Sequence, residues 1–264
     1  MLSQTEIDHY HENGYVIPDY SLDDHTLQDI KEKHSLFVKQ HPEFADYCPA
    51  ILPWLPEFVD IGRNPRILRM ISQILGEDIA LWNSSFFAKP PYVGSKTPWH
   101  QDGKYWAMRP LATCTVWIAI DDATIENGCL QVVRGSHQDQ RVRHHELNTA
   151  DGLALDLELV ADEVDNTKID YLEMKAGQMS LHDVYLVHGS EPNTSPNPRR
   201  GMTLRFMPTA SHFDRYIEKQ IFDARSPEGS DFQPLPVYLM QGIDQCELND
   251  FVGDFTKAES ISIL

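Results

Sequence analysis

The sequence predicts an α+β fold: a mostly helical first third, then a mainly β core closed as a barrel or a sandwich. Three observations point there. Capped segments with helical spacing run up to Gly76, and short runs rich in β-branched and aromatic residues fill the chain beyond it. The 264 residues, 41% apolar and 23% charged, have the composition of a globular protein of one large domain or two small ones. No internal repeat or low-complexity linker marks a boundary, so residues 1–264 read as a single domain.

Ser3 and Glu6 have the form of a capping box, Ile7 and Tyr10 follow at helical spacing, and Gly14 can take the left-handed conformation that ends a helix. The run YVIPDY at 15–20 reads as extended, and Ser21 then offers a cap for a helix carrying Leu27, Ile30, Phe37 and Val38. A third helix has Asn64 as cap, Pro65 at the first helical position, an apolar face of Ile67, Leu68, Ile71, Ile74 and Leu75, and Gly76 as terminator. IALWNSSFFAK, TCTVWIAI, CLQVV, GQMSLHDVYLV and GMTLRFM read as strands. In TCTVWIAI, Thr113, Thr115, Trp117 and Ala119 alternate with Cys114, Val116, Ile118 and Ile120, as in a strand that presents one face to a core and one to a cavity. Residues 151–170 hold seven acids and one Lys and read as a solvated surface insertion.

No stretch approaches the roughly 18 uninterrupted apolar residues of a membrane span. The first residues carry neither a basic n-region nor an apolar h-region, so a cytoplasmic location is expected. Cys48, Cys114, Cys129 and Cys246 are scattered without a C-x-x-C pair, which suits a reducing compartment. Lys and Arg total 22 against 40 Asp and Glu, a formal net charge of −18 that repels a phosphate backbone. Neither nucleic acid nor membrane is expected as partner; a small-molecule substrate is compatible with this charge, which by itself identifies no ligand.

Most of the 12 histidines read as surface or connection residues, among them His9, His11, His25, His34, His41, His144 and His145. His100-x-Asp102 differs, because on an extended strand both side chains point the same way and can bid for one divalent metal. His188, in the run V-H-G-S, adds a third donor. Two His and one carboxylate are the donors of the facial triad, which occupies one face of octahedral Fe(II) and leaves three positions open. A 2-oxo acid chelating through its keto and carboxylate oxygens would take two of those positions and leave one for O₂. Its far carboxylate then wants a cation. Arg199 follows His188 after a turn rich in Pro and Asn, and its planar fork suits a carboxylate. A surface charge is the alternative reading for Arg199 or its neighbour Arg200.

The motifs W-H-Q-D-G at 99–103, E-N-G-C-L-Q-V-V-R-G-S-H at 126–137 and H-G-S-E-P-N-x-S-x-x-x-R at 188–199 resemble the phytanoyl-CoA dioxygenase family of non-haem Fe(II) and 2-oxoglutarate-dependent oxygenases. The opening N-G-Y-V-I at 13–17 is similar too. The resemblance implies a double-stranded β-helix, a jelly-roll barrel with flanking helices, as a single oxygenase domain over 1–264. It implies that His100, Asp102 and His188 are the catalytic ligands of Fe(2+), with 2-oxoglutarate and O₂ as co-substrates. It makes Arg199 the partner of the distal 2-oxoglutarate carboxylate, with Ser190, Lys89, Asn83 and Thr115 as further contacts, and it puts Trp117 beside the metal.

His182 is a rival third ligand on the same strand parity as His188, but Gly-Ser follows His188 and the spacing to Arg199 fits only from there. Halogenating members have a small residue at the Asp position, so the carboxylate of Asp102 favours hydroxylation. Trp99, Tyr105, Trp106 and Phe213, with Tyr216, are candidates for a substrate wall. Lys104, Arg109, Arg134, Arg205 and Arg215 are cations available to an acidic substrate. Two other readings use the same residues. A zinc-dependent hydrolase would hold its metal on the same ligands but has no use for Arg199 as a clamp. A catalytically inactive barrel that only binds its ligand would gain nothing from an intact ligand set.

Overall fold

The computed structural model describes residues 1–226 and 230–253, so the expected domain over 1–264 runs beyond the described residues at 227–229 and 254–264. In chain order the helical third holds α1 (Gln4–Asn13), β1 (Tyr15–Val16), α2 (Asp24–Gln40), β2 (Tyr47–Cys48), α3 (Val59–Gly62) and α4 (Pro65–Leu75). Then come β3 (Ile79–Lys89), β4 (Thr97–His100), β5 (Met108–Arg109), β6 (Cys114–Ala119), β7 (Leu130–Val133), β8 (His145–Leu147) and β9 (Leu157–Leu159). The chain continues through β10 (Ile169–Leu172), β11 (Met179–Asp183), β12 (His188–Ser190), β13 (Arg199–Pro208), β14 (His212–Phe213), α5 (Arg215–Arg225) and β15 (Tyr238–Gln241).

The helices stop and start where local chemistry dictates. Ser3 and Glu6 close the capping box on α1, and Gly14 ends it with a φ of 85°. Asn64 caps α4 by accepting from Arg66 N–H, with Pro65 next. The expected Ser21 cap is corrected: Asp23 caps α2 by accepting from Thr26 N–H at 2.9 Å. Ser21 bridges Gln178 and Leu22 N–H bonds to Gly177 O, so the chain stays extended for two more residues and helix initiation waits for the next capping side chain.

Two antiparallel sheets face each other. The larger runs β1-β11-β6-β13-β3-β15, with β2 also on β3, and the smaller runs β10-β7-β12-β4. One face of the large sheet meets the helices: Val116, Ile118, Leu181, Met202, Leu204 and Phe206 pack with Leu27, Ile30, Ile67 and Ile71 in one buried core. The alternate residues face the small sheet. Each fully buried aliphatic side chain contributes roughly 1.5–3 kcal/mol, and a one-residue slip would exchange the two rows. The apolar row thus locks the register that aims Thr115, Trp117, Arg199 and Arg205 inward.

The structure redraws three further expectations. His182 and His188 do not share a strand: His182 ends β11 in the large sheet and His188 opens β12 in the small one. A turn between them is closed by Leu186 N–H to Asp183 O at 3.1 Å and Tyr185 N–H to Asp183 Oδ1 at 2.8 Å, so parity cannot be carried across it. The acidic stretch forms β9, which pairs with β8 and lies beside β4, with 3-10 turns and the start of β10, so it is more than a solvated insertion. Leu159 is buried, and Leu155 reaches a cavity wall described below. His34 and His145, read as surface or connection residues, are buried.

Candidate active site

His100 ends β4, His188 begins β12, and the two are direct partners in the antiparallel ladder, with ring centroids 4.1 Å apart. Asp102 sits in the 3-10 turn that follows β4, which Gly103 N–H ties to Val184 O at 3.1 Å. One ligand atom from each of His100, Asp102 and His188 lies within 4.8 Å of the others, and all three residues are buried. The two Nε2 atoms stand 3.8 and 3.9 Å from Asp102 Oδ1.

The second atoms of these side chains are already committed. His100 Nδ1 is 2.8 Å from Pro98 O and His188 Nδ1 is 2.9 Å from Leu186 O. A carbonyl can only accept, so the proton sits on Nδ1 and each Nε2 presents a lone pair. Asp102 Oδ2 accepts from Thr115 Oγ1 at 3.2 Å, and His182 Nε2 lies 3.6 Å behind it, leaving Oδ1 turned toward the imidazoles. Burial pushes the His100 imidazole down to about 4 and that of His188 well below its ordinary value. Burial alone would raise Asp102, but hydrogen bonding to His182 and the charge of Arg205 hold it well below the usual carboxylate range. Neutral imidazoles and an ionised carboxylate are the forms a divalent cation takes without displacing protons, and two N donors with one O donor suit Fe(II).

Gln101, between His100 and Asp102, was not singled out from the sequence. Its side chain points out of the barrel and is wholly buried, donating to Arg141 O at 3.0 Å and Tyr185 O at 2.7 Å and accepting from Arg143 N–H at 2.7 Å. Its own N–H donates to His145 Nε2 at 3.1 Å. These bonds clamp the H-x-D turn to the segment around 141–145 and to the turn before His188. Removing such an outer support typically costs about 10–100-fold in metal affinity. Gln101→Ala is therefore expected to weaken ferrous-ion binding by that factor while His100, Asp102 and His188 stay intact. Competition for iron against a chromogenic chelator measures it, and unchanged affinity would reduce Gln101 to packing.

The same inner cavity ends at Arg199, which lines it with Ser190, Trp117, Leu130 and Thr203. Arg199 is 2% exposed. Its Nε donates to Gly128 O at 3.0 Å, Nη1 to Phe87 O at 3.1 Å and Nη2 to Ser190 Oγ at 3.4 Å. No carboxylate pairs with it among the described residues. Burial lowers it to about 10, so it stays charged at neutral pH. The Trp117 ring lies 5.5 Å from its guanidinium and rests on Gly201, where a Cβ would stand 2.1 Å from the ring. Glycine is required at 201 for that close approach.

The other expected contacts divide. Ser190 and Thr115 line the inner cavity. Lys89 does not: it is the ladder partner of Arg199, but its Nζ donates to Ser95 O, and burial and the Arg199 charge bring it down to about 6. Asn83 lines a second, outer cavity of about 390 Å³ and donates to Pro49 O at 3.0 Å. That cavity opens from His100 and Asp102 and is walled by Trp82, Phe87, Tyr105, Trp106 and Phe213.

Trp99 is corrected. Neighbouring strand residues point to opposite faces, so with His100 inward Trp99 turns out, into a surface cleft with Leu147 and Leu159. Tyr216, on α5, is 71% exposed and walls nothing. Of the five named cations, Arg205 alone lines the cavities among the described residues. Arg134 pairs with Asp170, and Arg215 with Glu218 and Asp250, both away from the metal donors. Trp82 joins the wall because a register shift beside Arg205 turns both Trp82 and Asn83 of β3 toward the outer cavity, which strict alternation forbids, while Arg205 faces inward by regular alternation with Arg199 and Thr203 on β13.

A family model described as phytanoyl-CoA dioxygenase matches residues 2–201. A phytanoyl-CoA dioxygenase domain-containing protein 1 homolog of Dictyostelium discoideum is 33% identical over 180 residues, covering 67% of this chain and 63% of the relative. A probable alpha-ketoglutarate-dependent hypophosphite dioxygenase of Stutzerimonas stutzeri is 31% identical over 54% of this chain and 50% of its own length. The chain spans less than two thirds of the length of these curated relatives. Among solved structures, the non-heme monooxygenase ThoJ superposes with a TM-score of 0.70 at 22% identity, covering 91% of this chain and 85% of that one. The non-heme alpha ketoglutarate dependent carbocyclase SnoK gives 0.69 at 22%, covering 89% and 96%. At that identity the likeness is one of fold.

Proposed function

The chain belongs to the phytanoyl-CoA dioxygenase family, and from that premise we propose that it is a single-domain Fe(II)- and 2-oxoglutarate-dependent oxygenase that hydroxylates a small molecule. One observation carries the reading: a buried cavity with His100, Asp102 and His188 converging at one end and an uncompensated Arg199 at the other. An iron held there couples decarboxylation of the keto acid and reduction of O₂ to oxidation of a substrate carbon, so that 2-oxoglutarate, O₂ and R–H become succinate, CO₂ and R–OH.

The protein's part is positioning. His100 and His188 offer lone pairs fixed by their carbonyl partners, and Asp102 offers one oxygen while Thr115 holds the other. Arg199 and Ser190 form the receptor for the distal carboxylate. Trp117 and Leu130 cover the intervening space and keep water from the oxo acid. The outer cavity receives the substrate against the iron. A zinc hydrolase would leave a buried, unpaired Arg199 unexplained. The free cysteines, with Cys48, Cys114 and Cys129 buried, support a reducing compartment, and we place the protein in the cytoplasm. No helix among the described residues is long and apolar enough to cross a membrane.

The test is spectroscopic. Under argon, Fe(II) and 2-oxoglutarate together should produce a visible charge-transfer band that neither gives alone. Absence of the band, or hydrolytic turnover under argon with zinc, would overturn the reading.

A further inference from the structure

We infer that the outer cavity binds a small carboxylic acid with a flat, apolar body, and that Arg205 holds its carboxylate. Calling that acid the substrate rests on the oxygenase reading, whereas the binding itself does not.

Arg205 lies on β13 opposite Thr115 and Asn83, is 5% exposed, and lines both cavities. Its guanidinium stands 5.3 Å from the Trp106 ring and 5.9 Å from Trp82. Nη1 donates to Ser85 Oγ, and Nε is buried without any partner. No carboxylate lies within ion-pair distance of it among the described residues. A buried charge in that state is costly unless something arrives to pair with it.

The other charges on the outer wall are spoken for. Arg225 pairs with Asp156, and Glu218 accepts from Arg215 Nη1 at 2.9 Å and from Leu235 N–H at 2.8 Å. Asp102 belongs to the metal donors. Ferrous ion, Asp102 and the oxo-acid dianion together carry one net negative charge, and Arg199 offsets it. The charge of Arg205 is left over.

A guanidinium pairs with a carboxylate through two of its N–H groups, and of this one Nη1 alone is seen to donate, to Ser85 Oγ, among the described residues. The rest of the wall is rich in aromatic rings, among them Tyr47, Trp82, Tyr105, Trp106, Phe213 and Phe222. Such a surface offers little to a second polar group and much to a planar apolar one. Because Arg205 also lines the cavity that holds Asp102, the carbon nearest the iron would lie a few bonds from the carboxylate.

Quenching of intrinsic tryptophan fluorescence tests this directly, since Trp82 and Trp106 form the wall. The full chain is titrated with phenylalkanoates from benzoate to 5-phenylpentanoate, each paired with its amide. Titrations are run both metal-free and under argon with Fe(II) and 2-oxoglutarate. The expected result is that the best acid binds at least about tenfold more tightly than its amide in both states. Arg205→Gln should erase that preference and Arg205→Lys keep part of it, while 2-oxoglutarate affinity stays within about twofold. Amides that bind as tightly as acids to the unmodified protein would overturn the inference, whatever the variants do. So would an acid preference that survives in Arg205→Gln, which would leave Arg205 a bracket between two indoles. A loss of 2-oxoglutarate binding with the acid preference intact would overturn it too, by making Arg205 an oxo-acid ligand. If the charge-transfer band fails while the metal-free protein still prefers acids, the oxygenase reading falls and this inference stands.

Discussion

Asp102→Ala is expected to end turnover, with succinate formation from 2-oxoglutarate falling by more than about 10³-fold, well beyond the 10–100-fold typical of an outer support. The carboxylate is the anionic member of the ligand set, and its Oδ1 is the atom both imidazoles face. Without it, His100 and His188 are left as a two-nitrogen site that carries no charge to offset the cation. The fold should survive. Asp102 is a buried charge held by Thr115 and His182, and removing a buried charge relieves desolvation even as it frees those partners. Thermal unfolding with and without ferrous ion separates the two effects: the metal-free midpoint should stay near that of the unmodified protein, and the upward shift with iron should vanish. Retention of a tenth of the activity, or an iron-dependent shift as large as before, would remove Asp102 from the ligand set.

Arg199→Ala should weaken 2-oxoglutarate by about 2–4 kcal/mol, roughly 30- to 1000-fold in Kd, the range for deleting one partner of a buried charge-assisted pair. The guanidinium also donates to Gly128 O and Phe87 O, so alanine removes structural bonds as well. Arg199→Lys keeps the charge and loses the fork. It should fold and still bind the oxo acid several-fold more weakly, with the iron affinity unchanged. Isothermal titration with 2-oxoglutarate against the Fe(II)-loaded protein under argon reads both numbers. If neither variant weakens the oxo acid, the clamp lies elsewhere.

The candidate site was legible where its chemistry is written into short runs. His100-x-Asp102 needed only donor type and local spacing, whereas His188 was preferred to His182 for the Gly-Ser after it and the spacing to Arg199, and in the fold His100, Asp102 and His188 converge. Arg199 and Arg200 could not be separated by spacing alone. Burial separates them: Arg199 faces the cavity, while Arg200 turns to the other face of β13 and pairs with Asp121 at 2.7 Å. Strand parity put Thr115 and Trp117 on the cavity side as expected; His182 faces that cavity too, but from β11 in the large sheet rather than from the strand of His188.

Local sequence by itself determined α1, α2 and α4 with their caps, apart from Asp23 displacing Ser21, together with the alternation of the strand around 113–120 and the candidate donor pair His100 and Asp102. These depend on side chains within a few residues of one another, where capping, periodicity and donor chemistry act directly. Only the tertiary structure decided that Gln101 clamps the ligand turn and that Trp99 looks outward. It alone revealed that the register shift of β3 beside Arg205 turns Trp82 into the wall, and that no carboxylate stands within ion-pair distance of Arg205 among the described residues. Those outcomes depend on which strands lie opposite each other and on what fills the space between two sheets, and contacts between residues far apart in the chain leave no mark in the local pattern of either segment.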